Sequence, residues 1–248
     1  MASAVRGGFP HPTYNLDTPS ARRRWFGSYL DDLVTRDAAL ISSKDPDKLR
    51  TYLEVLALNN AGLPDDKSLY VSAGINARTA AGYDSLLQRL YVLDSVPAWA
   101  QTGSRLTALA KRSKRYLLDT GLAAAAGGIS AEDILYDSNL LGRTFDAYGT
   151  TQLRAENALA DPPRRLHHLR AGESLEVDLV VDVGRRRAIG IEFKAAASVA
   201  AKAIRHLKTL RQALAERFVA GVVFFSGGKI VELDDRIYAL PLAVLWGR

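Results

Sequence analysis

The clearest pattern in the chain is a pair of apolar runs joined by a glycine–arginine turn, in the stretch from Leu175 to Ala195. Both runs alternate with period two, which predicts two β-strands. If Gly184–Arg186 is the turn of an antiparallel hairpin, Asp178 lies opposite Glu192 on one face. Two carboxylates that face each other across a ladder destabilise a sheet unless something positive lies between them. Lys194 or a divalent cation would meet this need, so the pattern indicates a metal site.

The pattern around this hairpin predicts an α/β arrangement. Arg164–Arg170 is a strand candidate before it, and a long amphipathic helix is expected from Ser198 to Phe218. A buried strand is predicted at Ala220–Ser226, another at Lys229–Leu233, and a last apolar segment at Ile237–Trp246. The order strand, strand, helix, strand predicts a sheet in which the helix crosses over between strands.

The first half of the chain has mainly helical patterns. Residues 1–20 are rich in Gly, Pro and Ser and predict a loop or an extended arm, followed by a helix from Ala21 to Leu40. Asp45 is the predicted N-cap of the next helix, with Pro46 at its first position. Asn76 is predicted to cap a further helix after a short turn.

Helices followed by a hairpin predict a winged-helix module. The helix after Asn76 turns polar positions outward at its start, and the loop before the strand at Tyr116–Leu118 is basic. These positions and further basic residues around the sheet are the predicted phosphate contacts. They are Arg78, Thr79, Lys111, Arg112, Lys114, Arg115, Arg164, Arg165, Arg185 and Arg186. A small helical packing module without a ligand is the alternative.

Composition narrows the classes of partner. The chain has 248 residues, a formal net charge of +6 and no cysteine. The positive charge favours an acidic partner, nucleic acid first. The missing cysteine excludes disulfides, iron–sulfur clusters and thiolate zinc sites. No window approaches about 18 uncharged apolar residues and the N-terminus lacks a signal-peptide core, so we expect a cytoplasmic protein without a membrane partner.

Asp146, on a predicted amphipathic helix, forms a pattern with Asp178 and the sequence Glu192-Phe193-Lys194. This pattern resembles the PD-(D/E)XK nuclease superfamily, which has an acidic residue on a helix, an Asp on one strand and (D/E)-x-K on the next. The resemblance implies a restriction-endonuclease-like mixed sheet with flanking helices. It implies Asp146, Asp178 and Glu192 as ligands of Mg²⁺ or Mn²⁺. It also implies Asp178, Glu192 and Lys194 as catalytic residues of phosphodiester hydrolysis.

A longer set of motifs runs through almost the whole chain: Gly7–Pro10, Trp25–Tyr29, Pro97–Trp99, Tyr116–Leu122, Glu176–Asp178, Ile191–Lys194 and Ala239–Leu242. In this order they resemble the C-terminal part of a large prokaryotic family of AAA+-type ATPases that carry a C-terminal domain of unknown function. Members normally begin with a P-loop ATPase core, whereas this chain contains no G-x-x-x-x-G-K-[ST]. We therefore expect a fragment or a naturally shortened protein with no ATP site. Asp146 also departs from the relatives, which usually have Glu there.

The sequence predicts an α/β (α+β) protein in three parts. These are an N-terminal arm and helix (1–44), a winged-helix-like domain (45–118) and a PD-(D/E)XK nuclease-like domain (119–248). The expected function is that of a Mg²⁺-dependent nuclease or a nuclease-like nucleic-acid-binding protein. The alternative is a non-catalytic DNA-binding or protein-interaction module, regulatory or of the toxin–antitoxin type, with a protein partner or a second copy of the chain. Intact Asp178, Glu192 and Lys194 favour the enzyme, and the missing ATPase core favours the derived role.

Overall fold

The computed structural model describes residues 1–37, 45–99, 112–171 and 175–247. The chain forms two compact units, one of Met1–Ser95 and Arg115–Tyr148 and the other of Val96–Lys114 and Gly149–Arg248. The first unit is largely helical, and the second contains a mixed sheet of six strands. The predicted α/β class is therefore confirmed.

The described helices are α1 (Ala2–Arg6), α2 (Pro10–Tyr14), α3 (Pro19–Asp32), α4 (Pro46–Leu58), α5 (Asp66–Ser72), α6 (Ala77–Arg89), α7 (Thr120–Ala126), α8 (Ala131–Tyr136), α9 (Ser138–Ala158) and α10 (Arg205–Leu214). A π-helical turn, Leu33–Asp37, follows α3, and short 3₁₀ turns lie at Ala201–Ile204, Ala215–Arg217 and Leu242–Trp246. The strands are β1 (Leu93–Val96), β2 (Lys114–Leu117), β3 (Arg165–Ala171), β4 (Leu175–Asp182), β5 (Ala188–Lys194), β6 (Phe218–Phe225), β7 (Val231–Asp234) and β8 (Ile237–Pro241). Within the described ranges, no helix combines the length and the apolar character needed to cross a bilayer.

The large sheet has the strand order β3-β4-β5-β6-β8-β7. β3, β4 and β5 pair antiparallel, β5, β6 and β8 pair parallel, and β7 returns antiparallel to β8. The predicted hairpin is thus β4–β5, and the predicted crossover is α10, between two parallel strands. The carboxyl ends of β5, β6 and β8 consequently lie at one edge of the sheet, where ligands bind in many open α/β sheets.

Helices cover both faces of this sheet. A Cβ placed on Gly190 would lie within 3 Å of Leu207 and Leu210, so α10 packs closely against that face. On the other face, a Cβ on Gly149 of α9 would lie 2.2 Å from the ring of Phe193. Gly190 and Phe193 point in opposite directions on β5, as the period of a strand requires. Burial on both faces explains why β5 is apolar almost throughout.

The β3 edge of the sheet is covered by the segment that follows β1. Trp99 N donates to His168 O (2.7 Å), and His168 N donates to Pro97 O (3.0 Å). The buried imidazole of His168 donates from Nε2 to Arg112 O (2.8 Å). The Pro97–Trp99 motif therefore satisfies backbone groups that an open edge strand would leave unpaired.

The predicted loop or arm over residues 1–20 is wrong, because α1, α2 and the start of α3 form there. Contacts distant in sequence fix this segment. Asp119 accepts hydrogen bonds from Gly8 N (2.6 Å) and from Leu122 N (2.7 Å). Thr120 Oγ1 donates to Ala4 O (2.6 Å). The Tyr116–Leu122 motif thus includes the residues that hold the N-terminal helices.

The other helix predictions are confirmed in part. Asp45 caps α4 by accepting from Asp47 N and Lys48 N, and Asn76 caps α6 by accepting from Thr79 N. The long helix predicted over residues 198–218 is shorter, since α10 ends where Ala215 adopts a positive φ of 53°. Its predicted apolar face is buried as expected. The winged-helix assignment of residues 45–118 stays a prediction; residues 100–111, between β1 and β2, lie outside the described ranges.

Replacing Gly149 by alanine is expected to destabilise the chain by about 1–3 kcal/mol, because the new methyl group would overlap the Phe193 ring. That ring is stacked on Phe224 at 5.8 Å between centroids, so it has little room to move aside. Gly142→Ala in the same helix is the matched control, since nothing lies within 4 Å of its Cβ position. Alanine there should be neutral or stabilising by up to about 1 kcal/mol. Urea unfolding measures both, and equal effects would contradict this packing.

Candidate functional site

A break in the regular pairing of β4 sets the position of Asp178. His167 pairs with Val180, but Leu169 pairs with Val177, so β4 has one extra residue between these pairs. The β4–β5 ladder begins at Leu179–Ile191, next to Asp178. Bulges of this kind redirect a side chain. Strict alternation along β4 was therefore the wrong prediction: Val177 packs in the same hydrophobic cluster as Val180.

The Asp178 carboxylate is held from both sides. Its Oδ2 accepts a hydrogen bond from Phe193 N (3.0 Å), which fixes the side chain beside β5. Its Oδ1 lies 3.4 Å from Nζ of Lys114, whose side chain is 3% exposed. Glu192 is also buried, and its Oε2 accepts from Lys194 Nζ at 2.7 Å. The structure therefore brings together the three residues predicted as catalytic and adds Lys114 to them.

The two carboxyls respond differently to burial. Burial raises the pKa of Asp178, but the opposing attraction of Lys114, Lys194 and the Phe193 N–H prevails, so its pKa lies below the ordinary value. Burial and the negative charge of Asp178 raise the pKa of Glu192 to about 8. In the metal-free chain at neutral pH, Asp178 is thus ionised and Glu192 is protonated. The short Lys194–Glu192 contact is then a hydrogen bond to a neutral carboxyl and becomes an ion pair above that pKa.

One oxygen of Glu192 has no hydrogen-bond partner. Oε1 is buried, and Nδ1 of the His206 imidazole lies 3.9 Å from it. A buried, unpaired carboxyl oxygen is costly unless a proton or a cation satisfies it. Sequence reasoning did not identify His206. Its position in the first turn of α10, the helix that returns over β5, is the signal that could have found it.

Asp146, the third predicted ligand, lies in the first unit, whereas Asp178 and Glu192 lie in the second. It is buried, and Tyr116 Oη donates to its Oδ1 at 3.3 Å. Across the described part of the chain, no three His, Asp or Glu side chains are grouped as a metal site. The three-ligand arrangement therefore stays a prediction.

Two of the residues predicted as phosphate contacts in the basic loop form ion pairs within the protein. Lys114 is buried against Asp178, as described above. Arg115 lies between Asp66 (2.6 Å) and Asp84 (3.0 Å). Both cations thus already have carboxylate partners, and a phosphate contact by either residue stays a prediction. Arg112 is exposed, and Lys111 lies outside the described residues.

The remaining predicted contacts are at the surface. Arg78 is exposed and Thr79 half-buried at the start of α6, in the first unit. In the second unit, Arg164 and Arg165 precede or begin β3, and Arg185 and Arg186 form the β4–β5 turn, all exposed. Arg165 pairs with Asp182, so both pairs of arginines lie at the same end of the sheet. At about 3.3 Å per residue, the turn is roughly 20 Å along β5 from Glu192.

The second unit is thus an α/β domain in which the buried carboxyl of Glu192, the half-buried carboxyl of Asp178 and two lysines lie at the carboxyl end of a central strand. Residues 2–133 match the family described as Domain of unknown function (DUF8612), which is just over half of the chain. The chain belongs to this family. Residues 141–245 match a second one, Domain of unknown function (DUF4143), a domain often found in AAA-ATPase-associated proteins. No match was found among curated proteins.

Proposed function

We propose that this chain is a nuclease-type protein that binds a divalent cation at Asp178 and Glu192 and hydrolyses phosphodiester bonds. The observation that carries this proposal is the buried, unpaired Oε1 of Glu192 on a carboxyl adjacent to Asp178. Hard cations such as Mg²⁺ and Mn²⁺ prefer carboxylate oxygens as ligands. The donor set therefore fits the cation that the PD-(D/E)XK resemblance implies.

Each residue of the cluster has a proposed role. Asp178 and Glu192 would hold the cation, which when bound supplies Lewis-acid polarisation of a phosphoryl oxygen and activation of water. Lys194, whose side chain is 37% exposed, can reach a substrate phosphate and stabilise the charge that develops on it. Lys114 orients Asp178 and keeps it ionised. Glu192 must release its proton before it can act as a ligand.

The basic surface supports a nucleic acid as the partner. Arg78 and Thr79 on the helical unit, with Arg112, Arg164, Arg165, Arg185 and Arg186 on the sheet unit, would contact backbone phosphates without sequence preference. Arg78, Thr79 and Arg112 would act within the winged-helix arrangement proposed for residues 45–118. A cytoplasmic location is part of this proposal, and no role for ATP is included in it.

One observation favours a second function, a non-catalytic nucleic-acid-binding or protein-interaction module. Each acid already has a lysine partner within the second unit, Lys114 for Asp178 and Lys194 for Glu192. Such pairs can persist for folding alone after catalysis is lost. The two functions differ in whether the chain takes up a divalent cation.

The test is cleavage of plasmid DNA, single-stranded DNA and RNA with Mg²⁺, with Mn²⁺ and with EDTA. We expect cleavage by the wild type that falls in Asp178→Asn and Glu192→Gln to the background seen in EDTA. Glu192→Gln removes no charge at neutral pH, so it tests the ligand with little electrostatic disturbance. Asp182→Asn is the matched control: Asp182 lies on the same strand, roughly 13 Å from Asp178, and accepts from Gly184 N in the turn. Nucleic-acid binding by a folded wild type without cleavage would leave the binding module.

A further inference from the structure

A cleft of about 580 Å³ in the second unit is lined by β7, the middle of β8, the carboxyl end of β6 and the segments that follow β5 and β6. Most of its lining is apolar, from Val199, Phe225, Val231, Leu233 and Ala239. Its volume lies within the range of small-molecule sites, which are about 300–1,000 Å³. Neither the family matches nor the mechanism proposed above accounts for this cleft.

The cleft is next to the carboxyl–lysine cluster. Lys194 pairs in register with Phe225, and Glu192 pairs with Val223 on the neighbouring strand. Val223 in turn pairs with Ala239. Register partners in a sheet share a face. Phe225 and Ala239 therefore line the cleft from the same face that presents Glu192 and Lys194.

Hydrogen bonds and close packing fix the segments between the cleft and the carboxyl–lysine cluster. Ala196 N donates to Lys194 O (2.8 Å), and Ser226 N donates to Ala196 O (3.1 Å). A Cβ on Gly227 would lie 2.2 Å from the Phe225 ring and 2.5 Å from Ala197 O, so only glycine allows this approach. The segments after β5 and β6 are therefore tied together, and the cleft has a preformed shape.

The polar groups around the cleft identify the kind of ligand. Ser198 and Lys229 are its polar lining residues. Lys229 is exposed and forms no ion pair within the described part of the chain. Lys194, the register partner of Phe225, belongs to the carboxyl–lysine cluster next to the cleft. An apolar cleft with one lysine in its lining and a second beside Phe225 on the neighbouring strand suits an aromatic base that carries phosphate on either side.

We propose that the cleft holds one nucleobase of a single strand whose adjacent phosphate lies at Lys194. This rests on the proposed function and narrows its substrate to single-stranded, frayed or flipped nucleic acid. A base within an intact duplex is stacked and paired, so it cannot enter such a cleft without leaving the helix. Lys229 contacts the next phosphate along the strand.

The test is fluorescence anisotropy with short labelled single strands, deoxyribo and ribo, each with an abasic counterpart of equal length, in EDTA. We expect the intact strand to bind about tenfold more tightly than the abasic one, as one seated base implies. Gly228→Leu should remove this difference, because the side chain fills the cleft from a position with nothing within 4 Å of its Cβ. Gly142→Leu is the matched control, also with open space around its Cβ. Lys229→Ala should weaken both strands equally.

The outcomes separate this inference from the proposed function. Equal affinity for intact and abasic strands, or a base preference that survives in folded Gly228→Leu, would overturn the cleft as a base site even if cleavage occurs. A base preference abolished by Gly228→Leu, in a chain that never cleaves, would support the cleft and leave the hydrolytic mechanism without support. A preference for ribo over deoxyribo strands would identify the strand as RNA within the same proposal.

Discussion

Lys114→Met is expected to destabilise the chain by about 3–5 kcal/mol at pH 8, the range typical for breaking a buried ion pair. The methionine keeps most of the side-chain volume but leaves the Asp178 carboxylate without its buried cation. The loss should be smaller at acid pH, because Asp178 can then accept a proton instead. Urea unfolding at pH 8 and pH 5 measures the two values.

A double variant and a surface control test whether the loss of stability comes from the Lys114–Asp178 pair. Lys114→Met with Asp178→Asn should recover much of the lost stability, since neither residue is then charged. Lys208→Met removes a lysine from the more exposed pair with Asp234 and should have a much smaller effect on stability. A loss in Lys114→Met as small as in Lys208→Met would show that the buried pair does not contribute as described.

Glu192→Gln is expected to become more stable than the wild type as pH rises, by a few kcal/mol at pH 8.5 in EDTA. The folded chain holds the Glu192 proton up to a pKa of about 8, whereas the unfolded chain releases it near the ordinary value of 4.5. The contribution of Glu192 to the free energy of unfolding is fully present below about pH 4.5. It is lost as the pH rises through 8, at up to about 1.4 kcal/mol per pH unit. Glutamine has no such proton to lose.

The measurement is the difference in unfolding free energy between Glu192→Gln and the wild type at intervals from pH 5 to 8.5. Within the described residues, the charged or titratable groups around Glu192 include Asp178, Lys194, Lys114 and His206. Burial lowers the pKa of His168 to about 4. Its contribution to the free energy of unfolding therefore rises with pH between about pH 4 and 6.5, opposite to that of Glu192. It is present in both proteins and cancels in the difference. Parallel stability curves would refute the raised pKa.

Local patterns predicted much of the fold. The β4–β5 hairpin, the caps Asp45 and Asn76, and the crossover helix all depend on residues close together in sequence, and all are present. Residues 1–20 were misassigned because Asp119 and Thr120, more than 100 positions away, determine their structure. Composition alone contains no sign of that contact.

Sequence patterns likewise predicted part of the candidate site but not all of it. Asp178, Glu192 and Lys194 followed from the hairpin pattern and the resemblance. The basic loop predicts Lys114 as a phosphate contact, and only the fold places it beside Asp178. The extra residue in β4 depends on pairing with β3, which a single-strand pattern cannot show. His206 reaches Glu192 through the packing of α10 on the sheet.

The most direct test of a cation site at Asp178 and Glu192 is a calorimetric titration of the metal-free chain with Mn²⁺ at pH 7, in two buffers of different ionisation enthalpy. We expect one saturable site and release of about one proton per cation, because Glu192 must be deprotonated to bind. Binding should disappear in Asp178→Asn and Glu192→Gln and persist in Asp182→Asn. Binding that is unchanged in Asp178→Asn, or no binding by the folded wild type, would contradict a cation site at these two carboxyls.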